Sequence, residues 1–148
     1  MEQQDQSRVI EILLVEDNPG DVRLTKEALR ESTVENHLHV VGNGLDAMEF
    51  LHRQGSYGEA PRPDLILLDL NLPKKDGRET LAEIKNHVLL KRIPVLVLST
   101  SKADDDVRRS YDLHANCFIV KPVLFDQFVR AVQGIEAFWL TMVKLPPC

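Results

Sequence analysis

Five residues of this 148-residue chain carry reactive groups and stand where an apolar run stops. Glu16 and Asp17 follow "VIEILLV" (9–15), Asp69 closes "DLILLD" (64–69), Ser99 closes "PVLVLS" (94–99), and Lys121 follows "CFIV" (117–120). If these runs are neighbouring strands, three acids, a hydroxyl and an amine share one rim. Three carboxylates in a small space repel one another, and a proton or a cation must relieve them. Mg2+ suits such a set, because it takes one or two carboxylates, keeps several waters and accepts a phosphate oxygen. No His or Cys stands beside the acids, which argues against zinc. Asp69 is then a candidate carboxylate nucleophile towards phosphorus, as in proteins that form aspartyl phosphates. The metal and Lys121 would offset charge on the phosphoryl group, and Ser99 would donate a hydrogen bond to one of its oxygens.

The elements that must position these groups are short. The four runs above and "HLHVV" (37–41) are β-branched or Leu-rich, and several are apolar on both faces, as in a covered parallel sheet. Helical patterns lie between them at about 18–32, 44–53, 77–86, 104–113 and 124–140. The first is marked by Asn18 as a cap, Pro19 in the first turn and Asp21 near the positive end. The acids 104–106 mark a helix start in the same way. The alternation predicts an α/β fold, a three-layer αβα sandwich around a five-stranded parallel sheet. Functional sites of such sheets lie outside the carboxyl ends of the strands, which is where the five residues fall. Only "RQGSYGEAPRP" (53–63) reads as an irregular loop.

Length and composition limit the alternatives. The chain suits one domain, and a hydrophobic fraction of 43% fills a core without making a membrane protein. No apolar run approaches the ~18 residues of a membrane span, and the polar start lacks a signal-peptide pattern, so a cytoplasmic protein is expected. Cys117 and Cys148 form no metal motif and are expected as free thiols in that compartment. A net charge of −5 argues against a nucleic-acid surface. The histidines at 37, 39, 52, 87 and 114 are scattered, and none sits in a phosphodonor helix, so they read as structural or surface residues.

In combination and in order, "LLVEDNP" (13–19), "LLDLNLPKKDG" (67–77), "VLVLSTS" (95–101) and "FIVKP" (118–122) resemble the receiver domain of two-component response regulators. The resemblance covers about residues 9–134 and implies flavodoxin-like (receiver) topology. The stretch "LNLPKKDGRE" and the insertion "QGSYGEAPRP" look most like the small receivers that partner cyanobacterial phytochromes. By that resemblance Asp69 is the phosphoacceptor, Asp17 a direct metal ligand, Glu16 a ligand through water, and Asn71 a ligand through its backbone carbonyl. Leu72-Pro73 would shape the turn and Gly77 would allow tight entry to the next helix. Ser99 matches the switch hydroxyl, Phe118 the switch aromatic and Lys121 the phosphate-binding amine, with a cis bond expected between Lys121 and Pro122. Glu16 stands where many receivers have Asp, which alters metal geometry slightly. Phe118 stands where the best-studied receivers have Tyr, which makes its coupling to Ser99 weaker or more purely steric.

The tail adds one more feature. Phe125, Phe128, Val129, Val132, Ile135, Phe138, Trp139 and Met142 recur at helical spacing, as an amphipathic helix of about five turns. The sheet covers about three of those turns. The expected organisation is a polar tail (1–8), a receiver (9–134) and an extension (135–148). Ile135, Phe138, Trp139 and Met142 of that extension either fold back on the core or make a symmetric homodimer, the reading favoured here.

The reading is a stand-alone response regulator that takes a phosphoryl group from a histidine kinase, with a phytochrome as the implied kinase. Its output would be contact with a downstream protein, as yet unspecified, or onward phosphotransfer, since the sequence ends soon after the receiver. It would be a switch and not a turnover enzyme. A Mg2+-dependent phosphohydrolase acting through an aspartyl phosphate is the rival. Such an enzyme wants a second acid two residues after the nucleophile, where Asn71 stands. A flavodoxin-like cofactor binder would need a phosphate-cradling loop where "EDNPGD" (16–21) offers acids.

Overall fold

The computed structural model describes residues 9–30, 35–70, 72–99 and 117–120. The backbone alone is described at Ala28, Ser99 and 117–120. The strands are β1 (Ile10–Val15), β2 (Asn36–Val41), β3 (Leu65–Asp69), β4 (Val95–Ser99) and β5 (Cys117–Val120). The helices are α1 (Pro19–Arg30), α2 (Gly44–His52) and α3 (Gly77–Asn86). All strand pairings are parallel, in the order β2-β1-β3-β4-β5. Every strand expected from the sequence is present, within one residue at each end. The helices expected at 104–113 and 124–140 lie outside the described residues. So do the tail contacts of Ile135, Phe138, Trp139 and Met142, and the Lys121–Pro122 bond.

Alternation along the strands builds the three layers. Ile12 and Leu14 of β1, Leu65 and Leu67 of β3 and Leu96 and Leu98 of β4 pack under α1 through Val22, Leu24 and Leu29. Leu13, Val15, Ile66, Leu68, Val95 and Val97 face the other way, against Met48, Phe50 and Leu51 of α2 and Leu81 and Ile84 of α3. β3 is buried along its whole length, as a central strand covered on both faces must be. β2, on the edge, is only partly buried.

The helix ends are set by local hydrogen bonds. Asn18 Oδ1 accepts from the backbone N–H groups of Gly20 and Asp21 and so caps α1. Asn43 caps α2 by accepting from the Asp46 N–H. Asp76 and Glu79 form a reciprocal capping box at the start of α3. None of the helices among the described residues is long and apolar enough to cross a membrane.

Candidate metal centre

Register and alternation bring the acids together. Val15 pairs with Leu68, so Glu16 and Asp69 are the next residues along adjacent strands. The Glu16 N–H still donates to the Val41 carbonyl at 3.0 Å, which extends the strand geometry one residue past β1. Glu16 continues the Ile12–Leu14 face and Asp69 the Leu65–Leu67 face, and these are one face of the sheet, the α1 side. Asp17 follows where the chain leaves for α1. One carboxylate oxygen from each of Glu16, Asp17 and Asp69 lies within 4.8 Å of the other two.

The three acids differ in surroundings. Asp17 is exposed, whereas Glu16 and Asp69 keep only 3% and 7% of their surface exposed. Asp69 therefore stands at the end of its strand, as expected, and is buried there. Its strand is flanked in the sheet by β1 and β4. Two buried carboxylates beside a third are costly unless a proton or a cation compensates them. An all-oxygen donor set of this size fits a hard divalent cation that keeps part of its water shell. A tetrahedral nitrogen and sulfur centre is excluded by the same donor set.

Asn18 links this cluster to α1. Its backbone N–H donates to Glu16 Oε2 at 3.2 Å while its side chain caps the helix. The acid cluster is thus anchored to the first turn of α1 through consecutive residues. Sequence reasoning recognised the cap but not its bond to Glu16, which depends on how Glu16 turns back over the rim.

The loop from β3 to α3 is held from several sides. The Gly77 N–H donates to the Leu70 carbonyl at 3.0 Å. A Cβ on Gly77 would stand 2.3 Å from the Asp69 carbonyl oxygen and 2.6 Å from Leu70 Cα, so only glycine lets α3 begin this close to Asp69. A Cβ on Gly44 would likewise collide with Thr80 Oγ1 and the Lys75 carbonyl, which locks the start of α2 against this loop. Lys74 takes the left-handed backbone region (φ 62°), and Lys75 Nζ pairs with Glu83 Oε1 at 2.5 Å.

Of the remaining sequence-derived site residues, the side chains of Ser99 and Phe118, and all of Asn71 and Lys121, lie outside what is described. Their strands are in register with the rim nonetheless. Asp69 pairs with Leu98, one residue before Ser99, and Ser99 pairs with Val120, one residue before Lys121. The described histidines are away from the acids: His37 and His39 both contact Glu11, and His52 and His87 contact each other.

A doubly wound parallel sheet with a cluster of acids at its carboxyl rim defines an α/β domain whose binding site lies at the strand ends. Residues 12–133 match the family model of the response regulator receiver domain. The chain is 57% identical over 135 residues to response regulator Rcp1 of Synechocystis sp., covering 91% of this chain and 92% of that protein. Its fold superposes on the crystal structure of the phosphorylated cyanobacterial phytochrome response regulator RcpA with a TM-score of 0.92 and 56% identity, covering 95% of this chain and 100% of the other. The Mn2+-bound crystal form of Rcp1 gives a TM-score of 0.89 at 56% identity, covering 93% of this chain and 99% of that one. The chain belongs to the response regulator receiver family.

Proposed function

We propose that this chain is a phosphorylation-controlled switch whose phosphoacceptor is Asp69 and whose donor is the phosphohistidine of a histidine kinase, specifically a phytochrome. One observation carries the reading: in a chain of the receiver family, the acid that closes the central strand is met by two others within 4.8 Å. The similarity to Rcp1 and RcpA, the second described as a phytochrome response regulator, supports the choice of kinase.

In the transfer, a carboxylate oxygen of Asp69 attacks phosphorus in line with the leaving imidazole. The P–N bond breaks and its electron pair stays on the ring nitrogen. Glu16, Asp17, Asp69 and the Asn71 backbone carbonyl would hold Mg2+, which supplies positive charge against the phosphoryl oxygens. Asp17, exposed at the rim, is the ligand best placed for exchange with solvent. Lys121 contributes a second positive charge and Ser99 a hydrogen bond to a phosphoryl oxygen. The new negative charge on Asp69 draws these two groups in, and Phe118 fills the space left by the moving loop. The protein acts as a switch in the cytosol, without turnover of a separate substrate. Its output is protein contact or onward phosphotransfer, with Ile135, Phe138, Trp139 and Met142 forming a homodimer contact.

The test is phosphotransfer from a labelled phytochrome kinase in Mg2+, followed by mass spectrometry. The label is expected on Asp69 and is expected to vanish in Asp69→Asn and on chelation. Label on another residue would overturn the assignment. Steady hydrolysis of small phosphate esters that depends on Asp69 would replace it with the phosphohydrolase reading. Beryllofluoride is expected to change Trp139 fluorescence and elution volume in the wild type and not in Asp69→Ala.

A further inference from the structure

The insertion at 53–63 plays no part in the acidic rim, yet it is well ordered by its own bonds. The Gln54 N–H donates to the Glu49 carbonyl at 2.9 Å, Tyr57 N–H to Gln54 at 3.0 Å, and Ala60 N–H to Tyr57 at 3.0 Å. Arg53 Nε donates to the Ala60 carbonyl at 2.9 Å and closes the loop, and Gly55 supplies the left-handed turn (φ 58°). Between this loop, the carboxyl half of α2 and the edge strand β2 lies a wide-open cavity of about 400 Å3. Its walls include His39, Val40, Phe50, Tyr57, Glu59 and Pro61. α2 descends from the rim, so Phe50, near its carboxyl end, sits well below the acids.

The walls have a specific chemistry. His39, Phe50 and Tyr57 form a ladder of tilted rings, with centroids 5.4 Å and 5.5 Å apart. His39 Nε2 is already engaged by Glu11 Oε1 at 2.7 Å. Glu59 lines the cavity, is exposed and makes no ion pair among the described residues. Burial, and then the charges of Asp46 and Glu49, hold the Tyr57 hydroxyl above its ordinary range, so two acids stand near this ring besides Glu59. Aromatic faces attract cations through the ring quadrupole. A planar guanidinium answers both features, because it stacks on a ring and forks to a carboxylate. The adjoining β2 is an edge strand, which leaves room for the main chain that carries such a side chain.

We propose that this cavity takes an arginine side chain of a partner protein, stacked on Tyr57 and neutralised by Glu59. The site is separate from the acidic rim and does not depend on phosphorylation of Asp69.

The full chain, saturated with Mg2+ so that the rim is occupied, is titrated with acetyl-arginine methylamide and followed by amide NMR shifts. Saturable shifts in the millimolar range are expected at His39, Val40, Tyr57 and Glu59. The uncharged citrulline analogue is expected to give none. Tyr57→Leu should weaken binding about fivefold, the size of one partly desolvated cation–π contact, and Tyr57→Phe should retain it. Glu59→Gln should weaken it about threefold. If Tyr57→Leu fails to fold, Glu59→Gln and the citrulline comparison decide. Equal binding of citrulline, no saturable shift, or shifts confined to Glu16 and Asp17 would overturn the proposal. Displacement by tetramethylammonium at lower concentration than the arginine probe would also overturn it, in favour of a quaternary-ammonium pocket.

Discussion

Gly77 sets a contest between two effects of opposite sign. It occupies the first position of α3, and its backbone is not in the left-handed region. Helix propensity alone therefore says that Gly77→Ala stabilises, by up to about 1 kcal/mol. The packing says otherwise. The added Cβ would stand 2.3 Å from the Asp69 carbonyl oxygen, 2.6 Å from Leu70 Cα and 2.8 Å from the Leu70 carbonyl oxygen. All three neighbours are backbone, so no side chain can rotate away. Relief requires moving the loop or α3 by roughly an ångström, and overpacking of that kind costs about 1–3 kcal/mol. The same shift stretches the bond from Gly77 N–H to Leu70, worth about 1 kcal/mol. The net expectation is destabilisation by about 2 kcal/mol, or a fall in Tm of about 4–8 °C for a chain of this size. Urea unfolding followed by circular dichroism measures it. Gly58→Ala is the control, because its backbone is helical (φ −58°, ψ −28°) and a Cβ there meets nothing within 4 Å. That change should stabilise by about 0.5 kcal/mol. Because the collision falls on Asp69 itself, Gly77→Ala should also weaken Mg2+ binding. A Gly77→Ala protein as stable as wild type, with unchanged metal affinity, would refute the argument that this close approach fixes the acceptor.

Three further expectations follow from the same structure. Mg2+ at 100 times its Kd should stabilise the wild type by about 2.7 kcal/mol, and chelation should remove that gain. Asp69→Asn should lose most of this response while raising stability without metal, since one of three crowded negative charges is gone; calorimetry with and without Mg2+ reads both. Lys85, in the last turn of α3, reaches the segment that follows the helix, where Nζ donates to the Ile93 carbonyl at 2.8 Å, and burial lowers its pKa to about 8. The unfolded chain keeps that proton to higher pH, so between about pH 8 and 10 the unfolded state binds more protons and this group makes stability rise with pH. Urea midpoints across that window should flatten in Lys85→Met. Asp76→Ala removes the cap of α3 and should cost about 1 kcal/mol in the same unfolding assay.

Strand positions were legible in the sequence because β1, β3 and β4 are covered on both faces and are therefore almost wholly apolar, with Glu11 of β1 the half-buried exception. That Asp69 closes the central strand was equally legible, since the apolar run stops there, whereas its burial was not. The start of α1 was read correctly from Asn18 and Pro19, whose effects are local. The caps of α2 and α3 are as local, and Asp76 with Glu79 three residues on has the spacing of a capping box, a signal that the sequence reading passed over.

What the sequence could not decide depends on neighbours far along the chain. Glu16 and Asp17 are adjacent and chemically alike, yet one is buried and the other exposed. That split follows from the pairing of β1 with β3 and from the bond of Asn18 to Glu16, and neither is written locally. The resemblance to receivers placed Gly77 at a tight entry to a helix, but the reason lies in the distance to Asp69, eight residues earlier. The loop at 53–63 read as irregular, and only the fold sets Tyr57 beside Phe50 and His39 to make a cavity. Periodicity and chain punctuation act within a few residues and so survive in the sequence. Burial, collision and ring contact between distant residues arise only when the sheet has assembled.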